Sequence, residues 1–190
     1  MQTRMLIATI LALLTFHSSA TECTQSLKAG SPVTTIGAFS NMRYTEEHAY
    51  GYIVELWRAG DCLFGLFLSS SGLMGDTPTG RIENVSYDKN TRSISFDARL
   101  TMGVIPASTA PSSPWIPSKD AYKFSGILGK DALDGTLSHE ILNYPGKPSP
   151  SSEKLSLPLT SGEAVGMPDF RTFSEWETYA ESLLQRRGPK

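Results

Sequence analysis

Residues 50–68 read YGYIVELWRAGDCLFGLFL, two apolar, β-rich runs on either side of Arg58-Ala59-Gly60-Asp61. Tyr50, Tyr52, Val54 and Leu56 fall on one parity of the first run; Gly51, Ile53, Glu55 and Trp57 fall on the other. The second run repeats the pattern, with Phe64, Leu66 and Leu68 set against Leu63, Gly65 and Phe67. Successive side chains of a strand point to opposite faces, so a hairpin with one wet face alternates apolar and polar residues. This one is apolar on both parities. The spacing predicts a β-hairpin covered on both sides, the seam of the core.

Upstream, residues 1–20 carry Arg4, an apolar run from Met5 to Phe16 and the small residues Ser18-Ser19-Ala20. That is the pattern of a secretory signal peptide. The apolar run is shorter than the roughly 20 residues a membrane span needs, and no second run of that length follows. The expectation is an exported chain, periplasmic or extracellular, starting near Thr21 and without a membrane span. Thr21-Glu22 stand where a lipoprotein signal needs small residues ahead of its cysteine, which argues against lipidation at Cys23.

Export gives the two cysteines, Cys23 and Cys62, a role. Oxidising compartments favour disulfides, and two cysteines allow one intramolecular connectivity. Closing a loop of about 40 residues is worth roughly 4 kcal/mol in the chain-entropy account. Such a bond would tie the opening hairpin to the start of the mature chain.

Downstream, residues 81–87 and 93–100 flank Asp88-Lys89-Asn90-Thr91-Arg92, good turn chemistry for a hairpin. Ile82, Val85 or Tyr87, Ile94, Phe96 and Leu100 fall inward. Residues 121–128 and 133–139 make another hairpin around Gly129-Lys130-Asp131, and the glycines within its strands predict bends or bulges. Residues 32–36 read as a short first strand after an irregular stretch from 21 to 31. Residues 154–159 read as a closing strand, with Pro158 at its edge or end. Residues 103–119 and 143–152 are too rich in proline for central strands.

The last stretch changes character. Thr172-Phe173-Ser174-Glu175 is a capping box. Phe173, Trp176, Tyr179 or Ala180, Leu183 and Leu184 then recur at helical spacing. The domain plan is therefore a signal peptide over 1–20, an antiparallel β-barrel over 21–170 and an amphipathic helix over 171–190 packed outside it. Roughly seven or eight short strands in meander order give an all-β barrel with one C-terminal helix. That architecture resembles the lipocalin and avidin class of small barrels in general shape. The Gly-x-Trp motif of the first lipocalin strand is absent, so the likeness is one of architecture.

Function is less legible. The 190 residues carry a formal net charge of −2 with no block of Lys or Arg, which argues against nucleic acid and anionic membranes as partners. There is no G-x-S-x-G, H-E-x-x-H, phosphate-binding glycine loop or calcium-loop pattern, so no cofactor, metal or catalytic residue is expected. Outside the leader only His48 and His139 remain, and each neighbours an acidic residue that a strand would turn to its opposite face. Asn84-Val85-Ser86 matches a glycosylation acceptor but lies within an expected strand.

The candidates for binding are Trp115, Ile116 and Tyr144, large apolar groups in the two proline-rich segments. Long loops of that kind are often functional, and Trp and Tyr are enriched as anchors of protein interfaces. Folding back to plug the barrel is the other use of such residues. The expectation is a non-enzymatic binding protein that takes a protein partner, as a periplasmic inhibitor or immunity-like protein does. A carrier of a small apolar ligand is the alternative, and an enzyme built on scattered carboxylates with His48 or His139 comes third.

Overall fold

A computed structural model of the chain describes residues 20–73, 78–100, 104–106, 115–117, 120–141 and 151–184. The opening hairpin is its longest ribbon: β3 (His48–Ala59) and β4 (Cys62–Leu73) pair along their whole length. Its turn is two residues, tighter than the four expected, because Ala59 and Cys62 already face each other. Gly60, at φ 60, supplies the positive φ that such a turn asks for.

Around this ribbon an antiparallel meander closes. β1 (Thr34–Ser40) pairs with β3, and β5 (Thr79–Tyr87), β6 (Ser93–Arg99), β9 (Asp120–Leu128), β10 (Ala132–Ile141) and β11 (Ser151–Thr160) follow β4 in order. β11 returns to β1 through Ala38 and Phe39, which makes an eight-stranded barrel. β2 (Arg43–Tyr44) adds a short piece beside β3 beyond the end of β1. The barrel and its outer helix agree with the sequence expectation.

Local differences have physical causes. The 21–31 stretch, expected to be irregular, opens with helix α1 (Ala20–Gln25), tethered by the Cys23–Cys62 disulfide. The first strand begins at Thr34 rather than Pro32, which makes an isolated bridge to Thr172 instead. Between Ile82 and Tyr87 the register shifts, and Asn84 sits at φ 50. That bulge turns Val85 inward and leaves Tyr87 exposed, resolving a choice that strict alternation leaves open. Gly126 and Gly135 face each other across β9 and β10, and a Cβ on either would strike the opposite backbone. Their absence of side chains lets the sheet curl there.

Pro158 lies inside β11, not at its end. Leu159 N–H points to Asp131 O on the β10 side, so the missing N–H of Pro158 faces β1, where only Leu159 and Thr160 pair. The 103–119 segment gives a separate two-stranded ribbon, β7 (Val104–Pro106) with β8 (Trp115–Pro117), outside the barrel sheet. Ser151 and Ser152, expected outside any strand, begin β11.

Two apolar layers result. Inside the barrel, Phe39, Leu56, Phe67, Phe96, Phe124 and Leu137 belong to one continuous buried cluster. Outside it, Trp57, Phe64 and Leu66 meet Phe173, Trp176 and Ala180 of helix α3 (Phe173–Leu184). This is the second cover that the hairpin's two apolar parities demand. The capping box forms as predicted: Thr172 N–H donates to Glu175 Oε2 and Glu175 N–H to Thr172 Oγ1, both at 3.4 Å, and Arg171 N–H adds a 2.7 Å bond to the same carboxylate oxygen. Met167 and Phe170, in the connector that follows helix α2 (Gly162–Val165), pack against the same outer cluster. Residues 29–33 strap the start of α3, with Phe173 N–H donating to Ser31 O at 2.9 Å and Val33 N–H to Arg171 O at 3.0 Å.

Candidate functional site

Three of the inter-strand segments, residues 74–77, 101–119 and 142–150, join strands at the same end of the barrel, since β4, β6 and β10 all leave there. At that mouth the inward parity of five strands changes from apolar to polar. Tyr52 continues the row of Val54 and Leu56 on β3, and Ser69 the row of Phe67 on β4. Asp120 and Tyr122 precede Phe124 on β9, His139 follows Leu137 on β10, and Glu153 precedes Leu155 on β11. Alternation thus carries six polar groups into one place.

They form a connected floor. Tyr52 OH donates to Glu153 Oε1 at 2.9 Å. Ser69 Oγ and Tyr122 OH share a buried hydrogen bond at 3.1 Å. The His139 ring stacks on Tyr122 with centroids 4.3 Å apart and planes 2° from parallel. His139 Nε2 stands 3.7 Å from Asp120 Oδ1, within ion-pair reach but beyond a hydrogen bond. Tyr52 and Tyr122 meet edge to face, and Phe67 lies against both from below.

Burial governs the electrostatics. Desolvation, then the bond to Glu153, holds the Tyr52 phenol well above its ordinary range. Desolvation pushes Tyr122 up to about 12. Both remain protonated hydroxyls at any physiological pH, so they act as hydrogen-bonding groups and not as bases. Beneath them the barrel is packed with its own side chains.

Compared with known proteins, the chain matches no protein-family model, no curated protein and no solved structure. The site therefore rests on its own chemistry.

Of the residues singled out from sequence, Cys23 and Cys62 are bonded, with Cα atoms 5.7 Å apart, and among the described residues no cysteine is free. A disulfide belongs to an oxidising environment. Trp115 and Ile116 lie on β8, paired with Pro106 and Ile105; Tyr144 lies outside the described residues, as do residues 1–19 of the expected 1–20 signal peptide, while Ala20 opens α1. His139 meets Asp120, whereas His48 stacks on Tyr50 at the start of β3. Asn84 donates to Asp97 Oδ2 at 2.8 Å. Among the described residues no three His, Cys, Asp or Glu side chains gather as metal ligands, and no helix is long and apolar enough to cross a membrane.

Sequence reasoning missed Tyr52, Ser69, Tyr122 and Glu153. The available signal was a polar residue at the mouth end of an inward apolar row, as in Glu153 before Leu155 and Leu157. A second feature was also unanticipated: a cleft of about 360 Å³ outside the barrel. β4 and β5 pair only from Leu66 to Leu68; where they part, Thr24 and Gln25 of α1, Arg81 of β5 and Trp176 of α3 line the opening.

Proposed function

We propose that this chain is an exported, non-enzymatic binding protein that engages a partner protein at the barrel mouth, through the segments bearing Trp115, Ile116 and Tyr144. The observation that carries this reading is topological. Both proline-rich segments start and end on the same rim, above a polar floor whose tyrosine hydroxyls are already committed to Glu153 and Ser69. A floor closed on itself is a rigid platform, and rigid scaffolds bearing variable loops are a common way to build a recognition surface. The disulfide supports the exported location, periplasmic or extracellular.

Site-specific photocrosslinking in the native compartment tests this. A photoreactive phenylalanine analogue at position 115 or 144 should give the same protein adduct, whereas the analogue at Lys89, in the turn at the opposite end, should give none. Absence of an adduct at both mouth positions, or equal capture at Lys89, overturns the proposal.

A further inference from the structure

Among the described residues one charged side chain is fully buried: Glu55 of β3, 3 % exposed. It lies on the outer parity of the hairpin with Trp57 and Ala59, the face covered by Met167 and Phe170 of the connector and by Phe173, Trp176 and Ala180 of α3. Its cross-strand neighbours are Ala38 on β1 and Leu66 on β4, neither of which carries charge. Carboxylate Oε2 has no hydrogen-bond partner among the described residues. An ionised carboxylate in such a place costs several kcal/mol unless it is paired.

Among the described residues no charged group of the surrounding elements forms an ion pair with Glu55, although Arg81 Nε is itself buried without a partner. Arg81 continues the row Glu55–Leu66 onto β5, but its guanidinium lies 5.2 Å over the Trp176 ring, donates to Glu177 O and stands 3.9 Å from Glu181 Oε1. On the connector, Asp169 accepts from Thr35 Oγ1. Glu175 is held in the capping box, and Glu163 of α2 is exposed. Tyr179 is the titratable side chain in the apolar part of the layer.

We propose that Glu55 makes the seating of the helix layer proton-dependent: the neutral carboxylic acid fits beneath the layer, and the carboxylate drives it off the barrel. Burial raises the Glu55 pKa from 4.5 to about 7. A raised acid favours the closed form while protonated, so the closing contribution is complete below the free value of 4.5. It is lost as pH rises through about 7. By linkage the opening constant of the layer grows roughly 70-fold between pH 5 and pH 8. Opening widens the cleft beside Trp176 and bares Trp57 and Phe64, so the layer is a latch set near neutral pH.

Hydrogen exchange on the intact chain, corrected for the intrinsic pH dependence of amide exchange, reads this directly. In the wild type, α3 amides should lose protection by roughly 70-fold from pH 5 to pH 8 while β9 and β10 hold theirs. Glu55→Gln should flatten the α3 profile. A flat profile in wild-type α3, an unchanged slope in Glu55→Gln, or simultaneous loss in helix and sheet overturns the proposal. Should Glu55→Gln fail to fold, carbon-detected titration of the wild-type Glu55 carboxyl decides instead: a midpoint near 7 supports the latch and one near 4.5 overturns it.

Discussion

At the scale of single residues, the costliest choice in the sequence is Glu55. The interval between 4.5 and about 7 is worth about 3 kcal/mol of stability, present at acid pH and lost as pH rises. Urea unfolding at pH 5 and pH 8 should show the wild type weaker at pH 8, and Glu55→Gln more stable than wild type at pH 8. A different accounting applies at the mouth. Tyr122→Phe leaves Ser69, 8 % exposed, without its 3.1 Å partner and should cost about 1 kcal/mol. Ser69→Ala should cost a similar amount, and the double variant less than the sum, since removing both partners leaves no orphan. Loss of the disulfide belongs here too: Cys23→Ser with Cys62→Ser reopens a loop of sequence separation 39 and should cost roughly 4 kcal/mol, read from denaturation with and without reductant.

At the scale of elements, α3 depends on its underside more than on its own propensity, for a twelve-residue helix is marginal alone. Trp176 touches Trp57, Phe64 and Phe173, so Trp176→Ala should cost about 3 to 5 kcal/mol. Thr172→Ala, which removes only a cap, should cost about 1 kcal/mol. Thermal unfolding of the two variants should rank them in that order.

The helix was readable because cap, periodicity and terminus agree over one short window. The hairpin was readable because two apolar parities in a strand have few explanations. The mouth was not, because Tyr52 and Glu153 are separated in sequence by 101 residues and meet only through barrel closure and strand stagger. Nor does anything local announce the Asn84 bulge, whose positive φ breaks alternation in a run that reads smoothly as a strand. Glu55 stood in plain view on an apolar parity; its meaning required knowing that a helix covers it.

At the scale of the whole molecule, the barrel is held shut by a narrow contact. β1 meets β11 at Ala38–Thr160 and Phe39–Leu159 alone, whereas β3 and β4 share twelve registered pairs from His48–Leu73 to Ala59–Cys62. Long-range pairing of this kind folds slowly, on the order of milliseconds to seconds. Stopped-flow refolding of the oxidised chain should show a main phase in that range, and a microsecond main phase would contradict the closure described.

The order in which the chain is made gives the twice-covered hairpin a further significance. β3 and β4 appear early, yet the strand that shuts the barrel ends at Thr160 and the helix that shields its outer side runs to Leu184. Until both have emerged from a ribosome or a translocation channel, Trp57, Phe64 and Leu66 lack the Phe173, Trp176 and Ala180 face that covers them, with only Leu27 and Val33 of the preceding chain on that side. The interval between residue 73 and residue 184 is therefore when this protein is most exposed to capture by its neighbours, and when a holding chaperone has most to protect.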